Sequence, residues 1–345
     1  MISVVATVMV GVVSDTCPQY RVPILILTAI AGAAGYALLF IFRSDIVFSL
    51  TWILLLATAS TMISQNFAML RVHTNAMSPE QRHLVQATAR AFLSLAWTIV
   101  PPMAALMLWL GYSLISVTLI ALGSYLAYLF AVVLSHRSLA NAVQPSNGNR
   151  RPTFISVMSV STLSPLLAVG VLDGTLKLYG LAFPLLLLQS YGGTVELVGL
   201  SGGAIALAEI PLILAWSMVL KHRESRQILA FAALIEALHL IVIPVIPSLN
   251  LYLPWLFGHA VAASAIMSIS IGHLQGVLEH HPGVGSSLMS VAGLFGSTIA
   301  AALFGLFAST YGPVGLTTMA AGLAVLGSLL ISNDRGRQLS QRTTA

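Results

Sequence analysis

An aspartate and a lysine stand four residues apart in an otherwise apolar stretch, LDGTLKLYGLAFPLLL, which covers residues 172–187. On a helix this spacing places the Asp173 carboxylate one turn before the Lys177 ammonium group, the order in which such a pair attracts. A charge at the centre of a membrane-spanning helix costs about 2.5–3.5 kcal/mol, so charged side chains normally face the interior of the bundle. The pair therefore either orients its helix or presents charged groups to a polar ligand, with the ring of Tyr179 as a stacking face.

A third acid, Glu209, lies in the apolar stretch ALAEIPLIL and has no basic neighbour in sequence. Burial without a partner favours the protonated form of a carboxyl group. A carboxyl group that releases this proton when water enters has the chemistry that a proton carrier needs. The alternative is a neutral carboxyl group that is hydrogen-bonded to a neighbouring helix. Asp173 is the next candidate for the same proton-coupling role.

Uncharged polar and aromatic side chains in two other apolar stretches also suit a hydroxyl-rich ligand. Gln65 and Asn66 offer amides, and Trp97 offers a ring on which a sugar can stack. Ordinary helix packing explains the two amides equally well, and it is the more frequent role of a tryptophan in an apolar helix. Arg90 opens the stretch that contains Trp97, and we expect its long side chain to reach the membrane interface.

The remaining polar residues allow an enzymatic alternative. Glu236 and His239 are three residues apart, a spacing at which two side chains of one helix are able to pair. Ser201, in the stretch GLSGG, and His259 match the serine and histidine of an intramembrane serine protease. Glycine and serine are frequent wherever membrane helices pack closely, however, and we expect no enzyme. The sequence contains no metal-binding or nucleotide-binding motif, so neither a metal nor a cofactor is predicted.

The amino-acid composition indicates that all of these residues belong to a membrane protein. Hydrophobic residues make up 57% of the chain and charged residues 7%, and the mean hydropathy is +0.93. These values lie outside the range of soluble domains and predict an all-α polytopic membrane protein. A run of about 18 apolar residues can cross a bilayer as a helix, and the sequence has ten such runs. They are residues 22–42, 46–70, 91–110, 112–134, 163–189, 197–220, 228–246, 251–274, 286–307 and 314–332.

Basic residues set the orientation of these spans. Thirteen of the 15 Lys and Arg residues fall in alternate connections and in the C-terminal tail, so these segments are predicted to be cytoplasmic. The apolar residues 1–13 cover only about 20 Å as a helix, and we interpret them as the second half of a span whose beginning is missing. Residues 136–153 are polar and predict a cytoplasmic linker between an N-terminal half, 1–135, and a C-terminal half, 154–345.

Four stretches resemble the bacterial sugar efflux transporters of the major facilitator superfamily. They are SQNFAMLRVH, RAFLSLAWTIVPP, LKLYGLAFPLLL and GGAIALAEIPLIL, and they occur in the family's order. The resemblance implies the major facilitator fold, with two six-helix halves and a substrate site near the midplane. Helix 1 and part of helix 2 would be missing at the N-terminus. It further implies a proton-linked exporter of sugars or small glycosides in the bacterial inner membrane.

Gly11, Asp15 and Arg21 resemble the remnant of the superfamily's conserved cytoplasmic loop, which implies a gating role. Thr16, Cys17 and Pro18 depart from that pattern. The expected partners are the sugar, protons and membrane lipid, with no nucleic acid, and the chain is expected to act as a monomer. A drug exporter with the same fold is the main alternative, because fold alone does not select the substrate. The amides, acids and few aromatics named above favour a sugar.

Overall fold

The computed structural model describes residues 2–135, 160–278 and 282–333, and within these ranges it contains helices and no strand. The all-α prediction is therefore confirmed for the described residues. The predicted linker, 136–153, and the basic residues of the C-terminal tail lie outside them. The predicted division into halves at that linker stays a prediction.

Twelve helices are described, and most of the long ones follow the apolar runs of the sequence. They are α1 (Ile2–Thr16), α2 (Arg21–Ile41), α3 (Asp45–Thr51), α4 (Ala57–Ala59), α5 (Met62–His73), α6 (Pro79–Trp109), α7 (Val117–Leu134), α8 (Val160–Leu185), α9 (Val195–Val219), α10 (Ser225–Val242), α11 (Leu249–Val277) and α12 (Pro282–Ser332). A π-helical turn, Trp52–Leu56, joins α3 to α4, and a second one, Leu186–Ser190, extends α8.

Nine helical segments of the described chain are long and apolar enough to cross a membrane. The last of them, Gly283–Ser332, has 50 residues, which at 1.5 Å per residue is far longer than a bilayer core of about 30 Å. It is broken at Gly312, where φ is 62° and the helical path is interrupted before Pro313. Glycine adopts this left-handed conformation without steric cost. Two spans therefore share α12, in agreement with the ten apolar runs of the sequence.

Polar side chains define where α9 and α10 begin. The Thr194 hydroxyl accepts a hydrogen bond from the Leu197 amide at 3.3 Å, which satisfies an otherwise unpaired donor at the start of α9. Glu224 and Gln227 form a reciprocal capping box at the start of α10. These caps fix the ends of the two helices that carry Glu209 and Glu236.

The described residues fall into two compact units, and the boundaries between them lie within α6 and α12. The first unit comprises residues 2–77, 103–135, 278 and 282–290. In this unit α2 packs along α7, and Gly32 permits the close approach, since a Cβ atom there would clash with the Tyr125 ring. The buried core of this contact contains Val22, Leu25, Met69 and Val132.

The second unit comprises residues 78–102, 160–277 and 291–333 and contains most of the predicted site residues. Helix α11 is central in it, because α8, α9 and α10 all pack against α11. One apolar core of this unit combines leucines, alanines and aromatic residues of α8, α10, α11 and α12.

Candidate functional site

Asp173 and Lys177 form the predicted pair on α8. The Lys177 Nζ lies 2.7 Å from the Asp173 Oδ2. The same ammonium group donates to the Gly293 carbonyl oxygen at 2.6 Å and to the Ser297 Oγ at 2.7 Å, both on α12. The pairing is therefore confirmed, and Lys177 also links α8 to α12. A role for the pair in ligand binding stays a prediction.

Glycines allow α8 and α12 to approach each other beside this pair. A Cβ atom added at Gly296 would lie 2.5 Å from the Asp173 Oδ2, 2.6 Å from the Gly174 nitrogen and 2.7 Å from the Gly170 oxygen. Contacts this short leave no room for a side chain. Small residues serve this purpose wherever membrane helices cross closely. The charges of Asp173 and Lys177 are thus positioned by a tight helix crossing.

Tyr179 lies on α8, two residues after Lys177, and is 1% exposed. Its hydroxyl lies 3.0 Å from the Tyr252 hydroxyl. Its ring contacts His239 and His259, with ring centroids 5.5 Å and 4.6 Å away. In this structure the ring therefore packs against protein groups, and stacking on a ligand stays a prediction.

Glu236 does not pair with His239, although the spacing of the two residues allows it. Its Oε1 lies 2.8 Å from the Nδ1 of His259, on the neighbouring helix α11. His239 instead lies with its Nε2 3.4 Å from the Tyr179 hydroxyl. Spacing on one helix cannot show which residue of the next helix comes closer. His259 is also the residue that the protease alternative assigns as the base, and its partner in the structure is the Glu236 carboxyl group.

Glu209 is buried in α9 and has polar neighbours that its own sequence surroundings do not reveal. Its Oε2 accepts a hydrogen bond from the Ser94 hydroxyl of α6 at 2.8 Å. Arg90 lies on the same helix, one turn before Ser94. Arg90 is buried, with its Nη2 3.1 Å from the Met267 sulfur, so the expectation that it reaches the membrane interface was wrong.

The amides and the tryptophan predicted for ligand binding lie in different environments. Asn66 accepts a hydrogen bond from the Tyr128 hydroxyl at 2.7 Å. Gln65 is buried, and its Nε2 has no hydrogen-bond partner among the described residues. Trp97 is 65% exposed on α6. The two amides belong to the first unit and Trp97 to the second.

Asp15 binds the first turn of α12. Its two carboxylate oxygens accept hydrogen bonds from the backbone amides of Gly283 and Val284, each at 2.8 Å. Arg21 approaches the same carboxylate, with its Nη2 3.3 Å from the Oδ1. A carboxylate at a helix N-terminus is favoured both by unpaired amides and by the helix dipole. Gly11 permits the contact, because a Cβ atom there would lie 2.8 Å from the Gly283 oxygen.

A cavity of about 340 Å³ opens among the ends of α6, α9, α10 and α11 in the second unit. Polar and basic side chains from these ends line it, among them His83, Gln86, Lys221, Arg223 and His273. None of the binding residues predicted from the sequence is among its lining residues. No pattern in the sequence indicates this cavity, because its lining comes from three stretches, residues 83–87, 213–225 and 268–273, that are far apart along the chain.

Two curated relatives match the chain over most of its length. A putative sugar efflux transporter of Deinococcus radiodurans is 25% identical over 324 residues, which is 91% of this chain and 82% of the relative. Sugar efflux transporter A of Escherichia coli is 25% identical over 308 residues, 89% of this chain and 78% of the relative. No family model matches the sequence. The predicted resemblance is confirmed by these relatives.

Solved structures of transporters share the fold. The human organic anion transporter TETRAN superposes with a TM-score of 0.70 at 19% identity, over 96% of this chain and 81% of that one. The major facilitator transporter FucP in its outward conformation gives a TM-score of 0.69 at 13% identity, over 95% and 86% of the two chains. A bacterial homologue of ferroportin in an outward-facing state gives 0.68 at 14% identity, over 96% and 88%. The predicted major facilitator fold is confirmed.

Proposed function

Because the chain is a membrane transporter with the major facilitator fold, we propose that it exports sugars or small glycosides across the bacterial inner membrane by proton-coupled alternating access. The relatives from Deinococcus radiodurans and Escherichia coli are described as sugar efflux transporters, and they align with about nine-tenths of this chain. That near full-length similarity is the observation that carries the proposal. The direction of transport and the substrate class in this proposal are both taken from the descriptions of these relatives.

The side chains proposed to bind the sugar are Asp173, Lys177, Tyr179, Gln65, Asn66 and Trp97. The charged pair supports the proposal, because Asp173 accepts and Lys177 donates hydrogen bonds of the kind that sugar hydroxyl groups form well. The buried Gln65 Nε2 supports it too, since this donor has no partner among the described residues. A buried donor without a partner is costly, and a ligand hydroxyl group would relieve that cost.

Glu209 is proposed to carry the coupled proton, with Asp173 as the second candidate. The support for this role is that Glu209 is buried and that its carboxyl group bonds to the Ser94 hydroxyl, a group that is able both to donate and to accept a hydrogen bond. The sequence has no nucleotide-binding motif, which favours an ion gradient as the driving force. Gly11, Asp15 and Arg21 are proposed as the gating loop, in which the Asp15 carboxylate holds the first turn of α12 in this conformation.

The test uses the purified full chain in proteoliposomes with a panel of radiolabelled sugars and, separately, drug-like cations. We expect sugar counterflow without a pH gradient and concentrative transport with one. Glu209→Gln should retain counterflow and lose the concentrative transport, because it keeps the hydrogen bond to Ser94 but cannot ionise. Glu196→Gln, on the exposed first turn of the same helix, is the matched control and should keep both. Transport of the cations alone would favour the drug exporter.

A further inference from the structure

The cavity at the ends of α6, α9, α10 and α11 has no part in the transport function proposed above. Residues 83–87, 213–225 and 268–273 supply its lining, and we call it the helix-end cavity. Its volume of about 340 Å³ falls within the range of ligand pockets, which is about 300–1,000 Å³. None of the side chains proposed to bind the sugar or the proton lines it. The cavity is therefore large enough for a ligand of its own.

The rim of the helix-end cavity is positively charged. Lys221 and Arg223, on the connection between α9 and α10, both line it and are exposed. The two nearby acids are already engaged, because Glu80 lies 3.3 Å from the Lys221 Nζ and Glu224 accepts a 2.6 Å hydrogen bond from Arg226. Arg223 forms no ion pair with any residue that the structure describes. A guanidinium group with free donors fits the oxygens of a phosphate group, which it binds through two N–H groups at once.

The inner wall of the helix-end cavity offers hydrogen-bond acceptors instead. The Ser217 hydroxyl donates its proton to the Leu214 carbonyl oxygen at 2.7 Å, and the Ser268 hydroxyl donates its own to the Ser264 carbonyl oxygen. A hydroxyl group that has donated its only proton is left with lone pairs, so it accepts from a ligand. The buried Gln86 adds an amide to the same wall. Acceptors of this kind fit the hydroxyl groups of a ligand.

Hydrogen bonds between helices hold the walls of the helix-end cavity in place. The Gln86 Nε2 of α6 donates to the Gln275 Oε1 of α11 at 2.7 Å. The Ser225 hydroxyl, at the start of α10, lies 2.9 Å from the His273 Nδ1 of α11. A ligand that contacts both the rim and the inner wall adds to these links between helices. Its binding should therefore raise the thermal stability of the chain.

We propose that the helix-end cavity binds an organic phosphate whose body carries hydroxyl groups. The phosphate group binds at Arg223, and the hydroxyl groups bind at Ser217, Ser268 and Gln86. The rim belongs to one of the basic connections that are predicted to be cytoplasmic, and that face of a membrane presents anionic lipid headgroups. The same chemistry therefore has two sources, a soluble polyol phosphate and the headgroup of a glycerophospholipid. Binding here is independent of the sugar and proton sites proposed above.

The experiment measures melting temperature and ligand affinity of the purified full chain. The soluble probes are glycerol 3-phosphate, inorganic phosphate and glycerol, each titrated into the protein in detergent by calorimetry. The lipid probe is phosphatidylglycerol, compared with phosphatidylcholine in nanodiscs. We expect stabilisation by glycerol 3-phosphate if the ligand is soluble and by phosphatidylglycerol alone if it is a lipid. Either result supports the proposal when Arg223→Gln weakens binding at least tenfold or, for the lipid, removes at least half of the stabilisation.

The matched control is Arg43→Gln, which removes one positive charge at an exposed position outside the cavity lining and should leave binding unchanged. Ser217→Ala tests the inner wall. It should weaken the binding of glycerol 3-phosphate by about threefold to tenfold and leave that of inorganic phosphate unchanged.

Three results would overturn the proposal. The first is that neither glycerol 3-phosphate nor phosphatidylglycerol stabilises the chain. The second is an equal loss of binding in Arg43→Gln and Arg223→Gln, because the attraction would then belong to the net charge rather than to the cavity. The third is equal affinity for glycerol 3-phosphate and for either inorganic phosphate or glycerol, which would show that the cavity does not recognise both parts of the ligand.

Discussion

Two acid–base pairs of the second unit differ in how they are built. Asp173 and Lys177 pair within one helix, one turn apart, and their side chains are 18% and 38% exposed. Glu236 and His259 pair between two helices, and their side chains are 0% and 13% exposed. The first pair is specified by local spacing and forms wherever its helix forms. The second exists only after α10 and α11 have packed, so it depends on the tertiary structure.

The largest effect is expected where the burial is deepest. His259→Leu removes the hydrogen-bond partner of Glu236 and leaves a fully buried carboxyl group without it, which costs about 1–3 kcal/mol and more where the group is charged. The amount of monodisperse protein extracted from membranes should fall steeply, and its melting temperature in detergent should drop. Fluorescence-detected size-exclusion chromatography after heating measures both quantities.

The double variant Glu236→Leu/His259→Leu is the control for this result. Apolar residues of similar volume often replace a buried ion pair at no cost in stability. We therefore expect the double variant to recover much of the stability that the single variant loses. Equal losses in the two variants would show that Glu236 is held by groups other than His259, and the contrast between the two pairs would then disappear.

A smaller effect is expected for the pair on α8. Asp173→Asn and Lys177→Met should each destabilise the chain by less than His259→Leu does, because this pair is less buried than Glu236 and His259, and Lys177 also bonds to Gly293 and Ser297. The double variant should recover abundance if the pair has a structural role. If it also binds the sugar, the recovered protein should show weaker affinity, since hydrogen bonds to charged groups contribute about 1.5–3 kcal/mol each.

Two readouts on that double variant therefore separate the two roles. Membrane abundance reports the structural role, and sugar affinity measured by isothermal titration or by scintillation proximity reports the binding role. Normal abundance with normal affinity would restrict the pair to orienting α8. Abundance no better than in the single variants would mean that the bonds of Lys177 to Gly293 and Ser297 matter more than its bond to Asp173.

The same contrast explains which features could be predicted from the sequence. The apolar runs, the break before Pro313 and the Asp173–Lys177 pair depend on residues that are close along the chain, and all three were predictable. The partner of Glu236 and the inward position of Arg90 depend on contacts between helices that are distant in sequence. For Glu209 the sequence indicated a buried acid, yet its bond to Ser94 spans 115 residues. Contacts of this kind require the packed structure.

The smallest effect concerns the helix crossing that holds the first pair. Gly296→Ala places a methyl group 2.5 Å from the Asp173 Oδ2 and 2.6 Å from the Gly174 nitrogen, so α8 and α12 must move apart. Overpacking of this kind costs about 1–3 kcal/mol, and the melting temperature in detergent should fall accordingly. Gly305→Ala, on the same helix with no atom within 4 Å of the added methyl group, is the control and should be neutral or slightly stabilising.

Because the displaced backbone also carries Gly293 and Ser297, the bonds of Lys177 should weaken. Gly296→Ala combined with Lys177→Met should therefore cost less than the sum of the two single changes. Strict additivity would show that the pair on α8 is held by its own helix alone and owes nothing to α12.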